Sequence, residues 1–484
     1  MPRPLEVEIT MDLPLAGGSV YYYLSDESHV GANGKFYHGF IIGRPKIKMA
    51  PTSGGFVQMT SGGITLVNRP NDSDHPFGGS RYTTILATPG PYYIGIKFDE
   101  AYNLFEGMVF LQSIANDEMK LSVKPIRTTS GLNIGPAGSD LNDEQVNFFF
   151  GAIHDQPVPL IDASQFDSIT GTAVGFQNLT TSTGTVKIDG TTRAPDAWSA
   201  INDAVGSSMS GGSARYNADY TSSSKRSVSG TGAKWATTPA MTASGTTIGD
   251  FADQIAHIMT NTITSDSLYV LETANVDKNK IGTPPDSTII ISQESDILNL
   301  LSSVMPGVNY QFYIAPNQTD GNRTLFLIDK DDVPGTGSDY YHALSDFEII
   351  EIVIRAPKEI RNISLKYTDY FWSGTDLGSQ GLGSVISLGA SGSDISLNAL
   401  ADDSSQSGDV STMLTKIKNV LIKPTVKAKI AGLKSTWRPG DRIVFDRRIE
   451  QVHVDMKVRG IEWDSVAMET SIEGEATITD LVQS

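Results

Sequence analysis

Between residues 36 and 124 apolar and polar positions alternate in short runs, and Gly, Pro, Asn and Asp separate one run from the next. The runs are 36–50, 62–72, 91–98, 105–110 and 119–124. Lys46 and Lys48 set against Ile47 and Met49 put one face of a strand in a core and the other in water, the period of an antiparallel sheet. A barrel or a sandwich is the economical closure for so many short strands.

Helical spacing is confined to a region further on. Ile248, Phe251, Ile255, Ile258 and Met259, with Ile263 as a further candidate, recur at helical intervals behind Thr247 as N-cap and Asp250 three residues later. A second helix is read from Ser292 or Ser295 through Ile297, Leu298, Leu300, Leu301 and Val304, stopping at Pro306-Gly307. Residues 308–314 and 324–329 then flank a wide Asn/Gly/Asp loop and predict a hairpin. The last block returns to strands at 347–355, 362–370, 419–422, 442–445, 452–458 and 468–472, with Pro439-Gly440 turning the chain into one of them. The strand at 468–472 is read as a sheet edge that a neighbour must cover.

Two stretches, 206–247 and 374–409, are dominated by Ser, Gly, Thr and Ala. Their low apolar content predicts solvent-exposed loops. The resulting map is a β module over 1–130, a linker and Gly/Ser/Thr-rich β/loop region over 131–245, an α+β helix/hairpin domain over 246–346, and a C-terminal β module over 347–484 with a flexible loop at 374–409. The fold class is mainly β with a smaller α+β part, in several domains.

The order of these motifs resembles the N-terminal module of tail-tip (baseplate) hub proteins of long-tailed, siphovirus-like bacteriophages. The carrying features are a Gly-bounded strand ending at Asn68, the Asn71-Asp72 turn, the strand after Pro91, and Phe105-Glu106-Gly107-Met108-Val109-Phe110. Gln156-Pro157-Val158-Pro159-Leu160-Ile161-Asp162 is similar to the segment that follows that module. Gly440-Asp441 before a strand, and Val458-Arg459-Gly460-Ile461-Glu462-Trp463-Asp464 before the terminal one, resemble the C-terminal part of the hubs. The resemblance implies two tail-tube-like β-barrel modules per chain and a homotrimer of six modules that matches a sixfold tube. It also implies a place in the virion, after assembly in the host cytoplasm, where the ring closes the distal end of the tail tube, meets the distal tail protein, the tape measure protein and the central fibre or tip protein, and opens for DNA ejection. No catalytic residue, cofactor or metal comes with it.

Composition narrows the alternatives. The 484 residues are enough for two to four domains. Zero Cys removes disulfides, thiolate zinc sites and cysteine nucleophiles. A formal net charge of -18 repels phosphate backbones, so DNA is expected to pass without specific binding. Whether that acid lines a lumen or keeps the protein in solution is open at this stage. Met1-Pro2-Arg3-Pro4 opens no basic and apolar leader, and no run approaches a membrane span, so neither a secretory signal nor stable membrane insertion is expected.

The seven histidines, His29, His38, His75, His154, His257, His342 and His453, are scattered without metal-ligand spacing. There is no Gly-x-Ser-x-Gly elbow, and the glycine-lysine pair Gly34-Lys35 lacks the rest of a phosphate loop. Asp329, Asp331 and Asp332 offer either a calcium ligand set or a solvated turn, and Asn71 to His75 a weaker version of the same choice. Tyr21 to Tyr23, Phe148 to Phe150 and Tyr370 to Trp372 are read as core and interface anchors. The rival readings are a receptor-binding tail protein, for which no fixed-period repeat is found, and a virion-associated peptidoglycan hydrolase, which needs paired carboxylates in a cleft or a metal.

Overall fold

The computed structural model describes residues 4–13, 18–52, 55–78, 90–98, 102–125, 133–134, 148–157, 176–178, 186–188, 191–193, 213–214, 227–236, 275–280, 289–291, 295–318, 320–372, 377–388, 392–398 and 407–481. The chain is mainly β and multidomain, with several sheets and few helices. The helix read over 247–263 lies outside the described residues.

The amino-terminal region forms β1 (Glu6–Leu13), β2 (Gly18–Ser25), β3 (His29–Val30), β4 (Phe36–Gly39), β5 (Ile41–Gly43), β6 (Lys46–Pro51), β7 (Val57–Ser61), β8 (Ile64–Val67), β9 (Tyr92–Lys97), β10 (Phe105–Ile114) and β11 (Glu118–Pro125). One sheet runs β3-β4-β2-β1-β9-β10-β11-β8-β5. Its two ends are held by a single stretch of chain. The first half, β4, lies parallel to β2 through Leu24↔His38 and Ser25↔Gly39, and the second half, β5, lies antiparallel to β8 through Ile41↔Leu66. The path of pairings therefore closes on itself around Val7, Ile9, Leu24, Ile94, Ile96, Val109 and Leu121.

The carboxyl-terminal half repeats this device. After β12 (Asn275–Lys280), α1 (Ile297–Val304) and the hairpin of β13 (Tyr310–Pro316) with β14 (Arg323–Asp329) come β15 (Tyr341–Leu344), β16 (Ile349–Arg355), β17 (Ile360–Trp372), β18 (Leu377–Ser387), β19 (Ser393–Asn398), α2 (Ser407–Leu421), β20 (Thr425–Ala431), β21 (Arg442–Arg447), β22 (Val452–Asp464) and β23 (Glu469–Asp480). The sheet order is β15-β21-β22-β23-β20-β16. The short link 345–348 joins β15 to β16, so one segment again pairs parallel with one end, Tyr341↔Arg442, and antiparallel with the other, Ile352↔Ala428. In chain order and in sheet order β4, β5, β8, β9, β10 and β11 correspond to β15, β16, β20, β21, β22 and β23, the first sheet having β1 and β2 inserted. Gly474 lets β23 approach β22 closely, because a Cβ there would collide with the Lys457 carbonyl oxygen.

Between the two sheets, β12, β14 and β13 form a small sheet with β12 parallel to β14, and α1 precedes its hairpin, so the predicted helix and hairpin are present within a residue or two of the bounds Ser295–Val304, 308–314 and 324–329. In the middle region Phe148–Pro157 pairs with Ser227–Ala236 and with Ile289–Ile291.

Four sequence expectations change. The loop expected over 206–247 contains the paired strand Ser227–Ala236. The flexible loop expected over 374–409 contains β18, β19 and the first turn of α2. The Gly- and Ser-rich β18 is held by eleven backbone pairings with β17, Asn362↔Ser387 to Trp372↔Leu377, which need no apolar side chains. Residues 419–421 end a helix instead of forming a strand, and Met413, Leu414, Ile417 and Val420 give that helix its buried stripe. The strand from Met468 is no edge, since β23 is flanked by β22 and β20.

Candidate functional site: the junction between the two closed sheets

The hairpin β6–β7 leaves the first sheet between β5 and β8 and completes the second. Lys46, Ile47, Lys48 and Met49 of β6 pair with Asp464, Trp463, Glu462 and Ile461 of β22. The alternation read in the sequence decides which way the hairpin faces. Ile47 and Met49 are fully buried with Trp463, while Lys46 and Lys48 are exposed. Burying Ile47, Met49 and Val57 contributes about 1.5–3 kcal/mol each by area, an upper figure that still makes the apolar face the main attachment. The rim sets register. Lys46 Nζ lies 2.5 Å from Asp464 Oδ2. Burial opposes the Asp464 charge, but hydrogen bonds from Lys46 and from the Ala467 and Val466 backbone hold its carboxyl below the ordinary range.

Arg44 ties the two sheets at the root of the hairpin. Its guanidinium pairs with Asp26 after β2 and donates to the Ser465 carbonyl after β22 at 3.1 Å. Burial works against the Asp26 charge as well, and the bonds from Arg44 and the Leu5 N–H bring its carboxyl down. The Trp463 indole Nε1 donates to the Lys434 carbonyl at 2.8 Å, and the Arg438 guanidinium sits over the Trp463 ring at 5.6 Å.

The β13–β14 hairpin bridges the same two sheets from another side. Arg323 Nε lies 2.6 Å from Glu106 Oε2 on β10, and Gln318 donates to the Asn103 carbonyl at 3.0 Å. Burial, with the Glu106 charge, raises the Tyr93 hydroxyl well above its usual range, so it stays a neutral donor beside that carboxylate. At the other end of β14 the acidic turn meets protein cations. Asp329, fully buried, takes Lys416 Nζ at 2.7 Å, Asp331 accepts from Asn419 at 3.2 Å, and Lys457 donates to the carbonyls of Asp329 and Asp332. Lys416 takes the Asp329 carboxylate and Asn419 that of Asp331, while Lys457 takes backbone carbonyls of the turn, and helix α2 and strand β22 are thereby fastened to it. Among the described residues no group of three His, Asp or Glu is placed to hold a metal ion.

Lys330 stands inside this lattice among the charges of Arg459, Glu475 and Asp329. Burial, and then the Arg459 charge, push its ammonium down to about 8, against the opposite pull of Glu475 and Asp329. A base whose folded pKa is depressed is unfavourable while it is protonated in both states, so its cost is full below pH 8 and disappears as pH rises through the unfolded value near 10.5. Lys330→Met is therefore expected to raise stability at pH 7, by up to about 3 kcal/mol, with the gain shrinking between pH 8 and 10.5. Urea unfolding of both proteins across that range measures it. A gain that is flat or grows with pH would reject the assignment.

The histidines are dispersed. His29 Nε2 lies 2.9 Å from buried Glu6, His342 Nε2 lies 3.2 Å from Asp441 and stacks on Trp437, His453 Nδ1 lies 2.7 Å from Asp446, and His38 stacks on Phe40. His75 is buried, and its neighbours Asp72 and Asp74 form a turn in which the Asp74 N–H donates to the Asp72 carboxylate. The side chains of His154 and His257, of Phe148 to Phe150 and of Tyr370 to Trp372 lie outside the described residues. Of the three adjacent tyrosines, Tyr22 is buried in the core and Tyr21 is exposed. The crossing of β6–β7 was not read from the sequence. Lys457 and Arg459 give β22 the alternation of a half-exposed strand, and its unbroken burial from Met456 to Ile461 is visible only in the structure.

No family model matches the sequence, and no curated protein matches it. Solved structures similar to this chain include the 43 kDa tail protein of prophage MuSo2 from Shewanella oneidensis (TM-score 0.41, 11% identity, 97% of this chain and 98% of that one). A tail protein from Neisseria meningitidis MC58 gives a TM-score of 0.40 and 8% identity over 98% and 97% of the two chains. Prophage tail protein gp18 from Listeria monocytogenes EGD-e gives 0.34 and 8% over 97% and 94%. The structural neighbours include prophage tail proteins and a p2 virion baseplate, together with a gene transfer agent particle and a Francisella PdpA–VgrG complex. Among the described residues no helix is long and apolar enough to cross a membrane.

Proposed function

We propose that this chain is a structural virion protein, the tail-tip or baseplate hub of a long-tailed bacteriophage, acting by assembly and without catalysis. The observation that carries the reading is the internal repeat. One chain holds two closed sheets of the same strand order, joined by a hairpin that leaves one and completes the other. Two such modules, read as tube-like β-barrels, are what a chain needs if three copies are to present six equivalent units to a sixfold tube. The motif order from Asn68 to Phe110 and from Gly440 to Asp464 supports the same reading.

On this proposal the homotrimer closes the distal end of the tail tube, with the distal tail protein on one side, the central fibre or tip on the other and the tape measure protein inside, and it opens for DNA ejection. The division into 1–130, 131–245, 246–346 and 347–484 belongs to the proposal too, with the hairpin at 46–61 shared between the first and last parts. Symmetry analysis of intact tail tips containing the chain, with mass measurement of the assembled ring, is expected to give three copies. Six copies, or a stable monomer within the tip, would overturn it. Lysis of purified cell walls by the isolated protein would favour the hydrolase instead.

A further inference from the structure

Strand β16 ends the second sheet, with β20 as its one strand partner among the described residues. Five of its seven residues, Ile349 to Arg355, are aliphatic, yet Ile349 alone is buried. Ile350, Val353 and Ile354 are 47%, 39% and 41% exposed, which a strand flanked on both edges would not allow. The register with β20 sorts the faces. Ile352 and Ile354 stand opposite buried Ala428 and Val426 and face the core side, while Glu351, Val353 and Arg355 stand opposite Lys429, Lys427 and Thr425 and face outward. Ile354 stays exposed although it faces inward, because β16 is the last strand of the sheet.

Such an edge offers backbone donors and acceptors to another strand, and its own sequence limits which one fits. The register shift between Ile349 and Glu351 marks one end of the usable ladder, and Pro357, which has no N–H, marks the other. In a chain of net charge -18 this strand carries one acid, Glu351, and one base, Arg355, and neither is paired with a described residue. Residues directly opposite one another in a sheet share a face, so a symmetric antiparallel pairing of β16 with itself must centre on a residue. Centred on Val353, it sets Glu351 of each copy against Arg355 of the other, twice, and Ile352 against Ile354. Centred on Ile352 or Ile354, it sets one of the two charges against Val353 and the other against Ile349 or Pro357.

We infer that β16 pairs antiparallel with β16 of a second copy of this chain, about a twofold axis at Val353. Charge complementarity selects the occupant, since the strand is neutral as a whole and supplies both members of each cross-strand ion pair. The same patch meets itself, so the contact is isologous and closes at two copies. It joins the second-module sheets of the two chains into one continuous sheet and covers an apolar edge that would otherwise template aggregation. The inference rests on this one strand and not on the hub reading, and it concerns the protein free of its tail partners.

Sedimentation velocity of the parent over a rising concentration series is expected to show a reversible dimer. Glu351→Arg and Arg355→Glu are made in separate chains, both at exposed positions, and circular dichroism establishes that each keeps the parent's strand signal. Alone, each variant sets two like-charge pairs where the parent has two opposite-charge pairs, so its dimerisation is expected to weaken about tenfold. Mixed, the two variants match Arg to Glu at both positions, and the dimer is expected to return. The absence of native cysteine adds a positional test. Val353→Cys lies on the axis and is expected to oxidise to a disulfide-linked dimer, whereas Val333→Cys, at a similar 38% exposure in the turn after β14, is not. A parent that stays monomeric, charge variants that dimerise as the parent does, a mixture that fails to recover, or equal cross-linking at both cysteines overturns the inference. A trimer of the free parent that both charge variants leave intact supports the three-copy ring and overturns this contact.

Discussion

Trp463→Ala is expected to lower the unfolding free energy by about 3–5 kcal/mol, a large part of what holds a domain of this kind together. Trp463 is the largest fully buried side chain at the crossing of the two sheets, at 0% exposure, and its β22 position faces Ile47 of the visiting hairpin. Truncation removes the apolar contacts, leaves a cavity that two sheets and a hairpin would have to move together to fill, and orphans the Lys434 carbonyl that its indole satisfies. Trp463→Phe keeps most of the volume and loses the hydrogen bond, so a smaller loss of about 1–2 kcal/mol is expected. Urea midpoints of the three proteins at constant m-value decide the matter. Equal losses for Ala and Phe would mean that the hydrogen bond, and not the packing, holds the joint.

The second large effect concerns a charge that no water reaches. Glu6 on β1 is 0% exposed, with Lys97 Nζ of β9 at 3.0 Å and His29 Nε2 at 2.9 Å. Lys97 is itself buried and lies 5.7 Å from the centre of the Tyr37 ring. Lys97→Met leaves a carboxylate in the sheet interior without its cation, which costs about 3–5 kcal/mol. Removing both charges in Glu6→Leu/Lys97→Met is expected to recover most of that loss, because an ion pair taken out of water has already given up much of its Coulomb energy in desolvation. Thermal or urea unfolding of the single and double variants forms the cycle. A double variant as unstable as Lys97→Met would show that the pair itself, and not the stranded charge, carries the energy.

Both predictions turn on pairings that join residues far apart in sequence, and that is where the sequence and the structure part company. Alternation such as Lys46 to Met49, the Pro439-Gly440 turn, the hairpin around 316–322 and the helix before Pro306 are written locally. A strand's period, a turn's φ and a helix's apolar stripe depend on residues a few places apart. The same local reading went astray where pairing replaces apolar content, as in the Gly/Ser-rich β18, and where a real stripe from Met413 to Val420 was passed over beside Asn419. An acidic cluster at Asp329 to Asp332 is equally local, but its meaning came from Lys416 and Lys457, which stand in other elements. By itself the sequence determined that this is a mainly β, multidomain, cysteine-free acidic chain, and where most of its strands and turns fall. Only the tertiary structure decided that one segment closes each sheet, that β6–β7 crosses from the first to the second, and that β23 is interior. Strand partners are chosen by which edges come together in space, and backbone donors and acceptors are the same at every residue, so nothing along the chain names the partner.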